Sequence, residues 1–175
     1  MKTFLCFIIS FIFVFFHAYA KITIPFAANE NFEYFVPPQE GCAIISTYFG
    51  LHKLGIKHAK IQELEKSFLQ IKKPPYSMLD IAAILDEYGI GSKALRLHKK
   101  EDIFASNFTN TIIYLQKNNN SIGHFSFCFK GNDGKSWIAD PLYGNKCVEF
   151  SKNSEIFNLF TGIVLSLKKC PNPIK

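Results

Sequence analysis

The chain has 175 residues, with 20 Lys and Arg against 14 Asp and Glu and a formal net charge of +6. The excess sits on scattered single lysines, Arg96 is the one arginine, and no basic block occurs, which argues against a nucleic-acid partner. Beyond an apolar N-terminal segment the length suits one domain with one real core.

Lys2 supplies a positive start, Phe4 to Phe16 is an apolar run with Ser10 as its one polar residue, and Ala18-Tyr19-Ala20 places small residues at both positions a signal peptidase reads. Residues 1–20 therefore read as a secretory signal peptide, and residues 21–175 as the mature domain. The apolar run is shorter than the roughly 20 residues that a membrane span needs. An uncleaved anchor is the alternative; Cys6 lies inside the run rather than at its end, unlike a lipoprotein cysteine. No later stretch is long enough to cross a bilayer, so the expected location is the periplasm or the medium. Abundant Lys, Asn, Ile and Phe point to an AT-rich bacterial genome.

In chain order, Asn29 to Gln39 reads as loop, with Pro37-Pro38 forbidding helix. The first predicted helix opens at Cys42, carries Ile44, Ile45, Tyr48, Leu51 and Leu54 at helical spacing, and stops at Gly55. A second spans Lys60 to Lys72, with Ile61, Leu64, Phe68 and Ile71 on one face, and Pro74-Pro75 beyond its end. The third starts at a capping box of Ser77 and Asp80, continues through Ile81, Ile84, Leu85 and Tyr88, and closes at Gly89. Short strands follow at Thr109 to Gln116, Gly123 to Lys130, Ser136 to Asp140, Lys146 to Phe150 and Gly162 to Lys168. Asn118-Asn119-Asn120 and Gly131-Asn132-Asp133-Gly134 are the turn-forming links. Three helices followed by an antiparallel sheet give an α+β fold with the N-terminal helices packed on the sheet.

Export permits disulfides among Cys42, Cys128, Cys147 and Cys170, but four cysteines in a chain of this length are not a disulfide scaffold. With Cys42 kept as a thiol, one pair and one buried thiol are expected, Cys147 joining either Cys128 or Cys170. His52 and His58 stand at an H-x₅-H spacing, but no C-x-x-C occurs in the mature chain to complete a ligand set, so no metal site is expected.

A cysteine in the first turn of a helix meets unpaired N–H groups and the positive end of the helix dipole, which favour a thiolate. Such a nucleophile needs a base, and the base a group that orients it. His52, His58 and His98 lie on helical or charged stretches and read as surface or filler residues. His124 follows Gly123 at the start of an apolar strand. Asp140, locked by Pro141, ends the next strand. A hairpin around Gly131 to Gly134 brings the far ends of these strands, and hence imidazole and carboxylate, together. Gln39, shortly before Cys42, can donate to an oxyanion together with a backbone N–H at the helix start.

The order Gln39, Cys42, His124, Asp140-Pro141 resembles the double-glycine leader peptidases, the papain-like cysteine peptidase domains that process bacteriocin precursors. The spacings from Cys42 to His124 and on to Asp140-Pro141 match that family closely, and Ser77 to Gly89 resembles its second conserved stretch. The likeness runs from about Phe35 to Leu167. The chain departs from the family in having Gly41 where Asp usually stands, Ala43 in place of Gly, and Val36 at the usual position of the oxyanion glutamine.

The resemblance implies a papain-like cysteine peptidase fold and a stand-alone, exported endopeptidase that cuts after Gly-Gly-like small residues. In it Cys42 is the nucleophile, His124 the base, Asp140 the orienter and Gln39 the oxyanion donor. No cofactor is implied. The partner expected is a peptide or protein substrate, with an exporter or surface-protein system as its candidate source. The alternative, motivated by the altered neighbours of Cys42, is a catalytically impaired module that binds a glycine-rich peptide segment.

Overall fold

The computed structural model describes residues 21–25, 31–35, 41–118, 123–143 and 147–170. The expected signal peptide and Gln39 lie outside the described residues. Strands β1 (Lys21–Pro25) and β2 (Asn31–Phe35) pair antiparallel as a separate two-stranded sheet. The loop expected from Asn29 to Gln39 is thus corrected over Asn31–Phe35. Aromatic residues alternate with polar ones there, and this β-pattern acts ahead of the Pro37-Pro38 break.

Three helices follow: α1 (Cys42–Lys53), α2 (Ile61–Ile71) and α3 (Met78–Glu87). Every residue of α1 from Ala43 to His52 is buried, as a helix enclosed on all sides must be. By contrast α2 is amphipathic, burying Leu64 and Phe68 and exposing its charged positions. The capping box that starts α3 is formed: Ser77 Oγ accepts from the Asp80 N–H, and the Asp80 carboxylate accepts from the Ser77 N–H at 2.6 Å. Lys72, just past the end of α2, also reaches Asp80 at 2.8 Å and ties the two helices together.

The larger sheet contains β3 (Ile90–Arg96), β4 (Asn110–Leu115), β5 (His124–Lys130), β6 (Ser136–Ala139), β7 (Val148–Glu149) and β8 (Phe160–Lys169). Their spatial order is β3-β8-β4-β5-β6-β7, with every neighbouring pair antiparallel. Strand β3 and the five-residue α4 (Glu155–Leu159) are not among the elements predicted from the sequence. In β3, Gly, Ser, Lys and Ala interrupt the apolar alternation, and pairing with the ten-residue β8 supplies what its own side chains do not.

Strand alternation divides the core into two clusters on opposite faces of the sheet. Ile112, Phe125, Phe127, Phe129, Leu165 and Leu167 face the helices and pack with Ile45, Phe49, Leu64, Phe68 and Ile84. Ile113, Cys128, Ile138 and Val164 face the other way, under Ile103, Phe108, Phe150, Ile156 and Phe160. Each fully buried aliphatic or Phe side chain contributes about 1.5–3 kcal/mol relative to exposure. Clamping α1 in the first cluster therefore fixes the position of its N-terminus.

This division also corrects the expected disulfide. None of the four described cysteines is disulfide-bonded. Cys128 packs in the second cluster and Cys147 against the first, so the sheet lies between them. Cys170 follows β8 and lies against Gly91 of β3 at one edge, while Cys147 precedes β7 at the other. No helix among the described residues is long and apolar enough to cross a membrane.

Candidate active site

Cys42 is the first residue of α1, with Gly41 as the N-cap. The first α-helical bond runs from the Ile45 N–H to the Gly41 carbonyl at 2.8 Å, so the N–H groups of Cys42, Ala43 and Ile44 precede the ladder. They crowd positive partial charge around a half-buried thiol. Gly41 brings no capping side chain, so no carboxylate or hydroxyl from the cap competes for those donors.

His124 opens β5, and Asp140 directly follows β6. The two strands are held in register by a turn in which the Gly134 N–H donates to the Gly131 carbonyl at 3.0 Å. Gly134 takes a φ of +76°, a conformation that favours glycine. Asp133 fastens the turn by accepting from the Lys135 N–H and the Trp137 indole N–H. Phe127 then lies opposite Ala139, and one step further along the pair comes Ser126 opposite Asp140. His124, two residues from Ser126, points to the same face. Sequence separation and sheet geometry thus deliver an imidazole and a hydroxyl to one carboxylate.

The His124 Nε2–H donates to Asp140 Oδ2 at 2.5 Å. Ser126 Oγ donates to the same Oδ2, and the Leu142 N–H donates to Oδ1 at 2.9 Å. The Asp140 side chain has no exposure, whereas His124 keeps about a quarter of its side-chain surface open (26%). A carboxylate this deeply buried is tolerated because both oxygens are satisfied by hydrogen bonds.

With Nε2 committed to Asp140, the other ring nitrogen is the one available to Cys42, with which His124 is also hydrogen-bonded. Burial disfavours charge on this imidazole. The hydrogen bonds to Asp140 and Cys42, with the Coulombic attraction of both, outweigh burial and hold its pKa up to about 10. At neutral pH the site therefore holds an imidazolium between a carboxylate and the sulfur of Cys42. That arrangement supports nucleophilic attack by sulfur and proton delivery by the ring.

Gly123 has its own reason to be glycine. A Cβ there would lie 1.8 Å from the Tyr114 hydroxyl oxygen and about 2 Å from its ring, so the Tyr114 side chain occupies the space. Tyr114 pairs with Phe125 across β4 and β5, and the two rings pack at 5.3 Å. The Tyr114 side chain thus lies directly against the backbone that enters His124.

Cys42, His124 and Asp140, three of the four residues picked out from the sequence, converge in the structure; Gln39 lies outside the described residues. His52 is not a surface residue: it is buried on α1, its Nε2 is 2.9 Å from the Ala59 carbonyl, and its ring lies 4.2 Å from that of Tyr48. It fixes the loop after α1. His58 and His98 are exposed. Sequence reasoning missed Ser126. Its signal was a lone hydroxyl in the apolar run Phe125-Ser126-Phe127, on the same strand face as His124.

No curated protein matches the chain. Among solved structures it is similar to a double glycine motif protease from an AMS/PCAT transporter, crystallised in complex with a leader peptide. That likeness has a TM-score of 0.59 and 21% identity, covering 89% of this chain and 96% of that one. It is also similar to the peptidase domain of Streptococcus ComA, a bifunctional ABC transporter, with a TM-score of 0.57 and 14% identity over 85% of this chain and 98% of the other. The helices on an antiparallel sheet are thus the papain-like peptidase fold of these domains. Residues 38–172 match the Peptidase C39 family, and the chain belongs to that family of cysteine peptidases.

Proposed function

We propose that the protein is an exported cysteine endopeptidase that hydrolyses a peptide bond following two small residues, in the manner of a double-glycine peptidase. The observation that carries this reading is the hydrogen-bonded series Cys42, His124, Asp140 at the N-terminus of a buried helix. A module that only bound peptide would have no use for an imidazolium held between a thiol and a buried carboxylate. The N-terminal pattern at residues 1–20 supports export to the periplasm or beyond.

In the proposed reaction the Cys42 sulfur, as thiolate, attacks the scissile carbonyl carbon and forms a C–S bond, and the carbonyl oxygen takes the negative charge. The Cys42 backbone N–H, ahead of the helical ladder, is aimed to stabilise that oxyanion, with Gln39 as second donor. His124 then gives its proton to the leaving amine as the C–N bond breaks, which leaves a thioester and a neutral imidazole. Water next loses a proton to His124 and attacks the thioester. The carboxylate product departs and the thiolate–imidazolium pair is restored. Asp140 holds the ring in the orientation each step needs.

Cleavage of a peptide panel by the protein lacking residues 1–20 tests the proposal. Peptides with Gly-Gly or Gly-Ala before the cut should be cleaved, bulky replacements should resist, and Cys42→Ala should abolish turnover. Activity that survives Cys42→Ala would sink the mechanism. Cleavage indifferent to the residues before the bond would sink the specificity.

A further inference from the structure

We infer that Ser126 is a positioning residue of the catalytic site, the hydroxyl that locks the Asp140 carboxylate against His124. The inference rests on the peptidase reading above and adds one more side chain to it.

Ser126 is fully buried, with no exposure, in a strand whose neighbouring positions are Phe125 and Phe127. Packing alone does not call for a hydroxyl there. Cys128, two residues along on the same face, fills its place as a small apolar side chain among Ile113 and Ile138. The Ser126 hydroxyl has one described partner, Asp140 Oδ2, the oxygen that also accepts from His124 Nε2. A carboxylate held only by His124 and by the Leu142 N–H on Oδ1 retains freedom to twist about its own bond. A second donor on Oδ2, from the strand directly opposite, removes that freedom. Ser126 therefore acts on the reaction through Asp140 and not by touching substrate. Its donor also fills the second acceptor site of Oδ2 on a carboxylate that has no access to solvent.

This role differs from two simpler ones. A serine that only filled space would affect stability and nothing else. A hydroxyl that merely drew charge off Oδ2 would, on removal, strengthen the hold of Asp140 on the imidazolium. A positioning hydroxyl, on removal, lets the carboxylate turn and weakens that hold.

The test compares the protein lacking residues 1–20 with its Ser126→Ala and Ser126→Cys variants, the second keeping the volume and replacing a strong donor with a weak one. Three quantities are read: the NMR titration of the His124 imidazole, kcat and KM on a Gly-Gly peptide, and the melting temperature. The His124 titration should move below its wild-type position in both variants. On the peptide, kcat should fall about tenfold or more in Ser126→Ala with KM within about twofold, the pattern of an interaction that matters in the transition state. Should Ser126→Ala fail to fold, Ser126→Cys carries the same readouts. An unchanged or raised His124 titration overturns the inference, as does a lowered melting temperature with kcat intact. If the wild type cuts no peptide, the peptidase reading fails, and the titration still decides the role of Ser126. If Cys42→Ala is inactive and Ser126→Ala is not, only the present inference fails.

Discussion

His124 and Asp140 are sixteen residues apart in sequence and 2.5 Å apart in space, joined from Nε2 to Oδ2 across the mouth of the β5–β6 hairpin. Their meeting depends on a turn of four residues and on one strand register. A slip of one residue would carry Asp140 to the opposite face of the sheet, beside the helices and away from His124.

Asp140→Asn separates charge from shape. Asn fits the same space and keeps an oxygen for the Leu142 N–H, but it removes the negative charge beside the imidazolium. The variant should fold, with kcat lower by about 10²–10⁴-fold, as when a triad carboxylate is neutralised. Steady-state kinetics on a Gly-Gly peptide together with circular dichroism would check both halves. Full activity would remove Asp140 from the mechanism.

The pH dependence follows from His124, whose pKa is raised from the ordinary 6.5 to about 10. A group raised on folding contributes stability that is fully present below its unfolded value and is lost as pH rises through its folded value. Thermal melts should therefore lose stability between about pH 6.5 and 10, and His124→Gln should flatten that decline. Turnover should fall along an alkaline limb near pH 10, where the proton for the leaving amine is gone. Removing Cys42 or Asp140 should lower the His124 titration point, since both raise it.

Gly123→Ala should damage the site from behind. Its methyl meets the Tyr114 hydroxyl at a distance no Cβ tolerates, so either the ring or the strand entering His124 must move. Both stability and kcat should drop, the former by about 1–3 kcal/mol, as for overpacking elsewhere. Tyr114→Ala in the same chain should recover part of the loss, giving a non-additive double-mutant cycle. Additive losses in denaturant melts would mean that the two residues do not press on each other.

Much of this arrangement was legible in the sequence because its signals are local. Ser77 and Asp80 announce the start of α3, the Gly131 to Gly134 turn fixes the β5–β6 hairpin, and the hairpin brings His124 to Asp140. The pieces that were not legible depend on partners distant in the chain. Strand β3 has a weak pattern of its own and is completed by β8, some seventy residues on. His52 looks like one more polar residue on a helix until the loop carbonyl of Ala59 is placed over it. Ser126 can be assigned only once β6 lies beside β5. The disulfide expected of an exported chain fails for the same reason, because sequence spacing does not say which face or edge of a sheet a thiol occupies.

The central claim is that Cys42 is a nucleophile made reactive by His124, and the rate of alkylation of each cysteine at neutral pH tests it most directly. Burial pushes the Cys128 thiol up to about 12; burial, only partly offset by Lys53, pushes Cys147 up to about 11, so both should react slowly. Peptide mapping after a timed pulse of iodoacetamide should show Cys42 labelled at least about tenfold faster than either, with that advantage lost in His124→Ala. A Cys42 that reacts no faster than Cys128 and Cys147, or at the same rate with and without His124, would contradict the account.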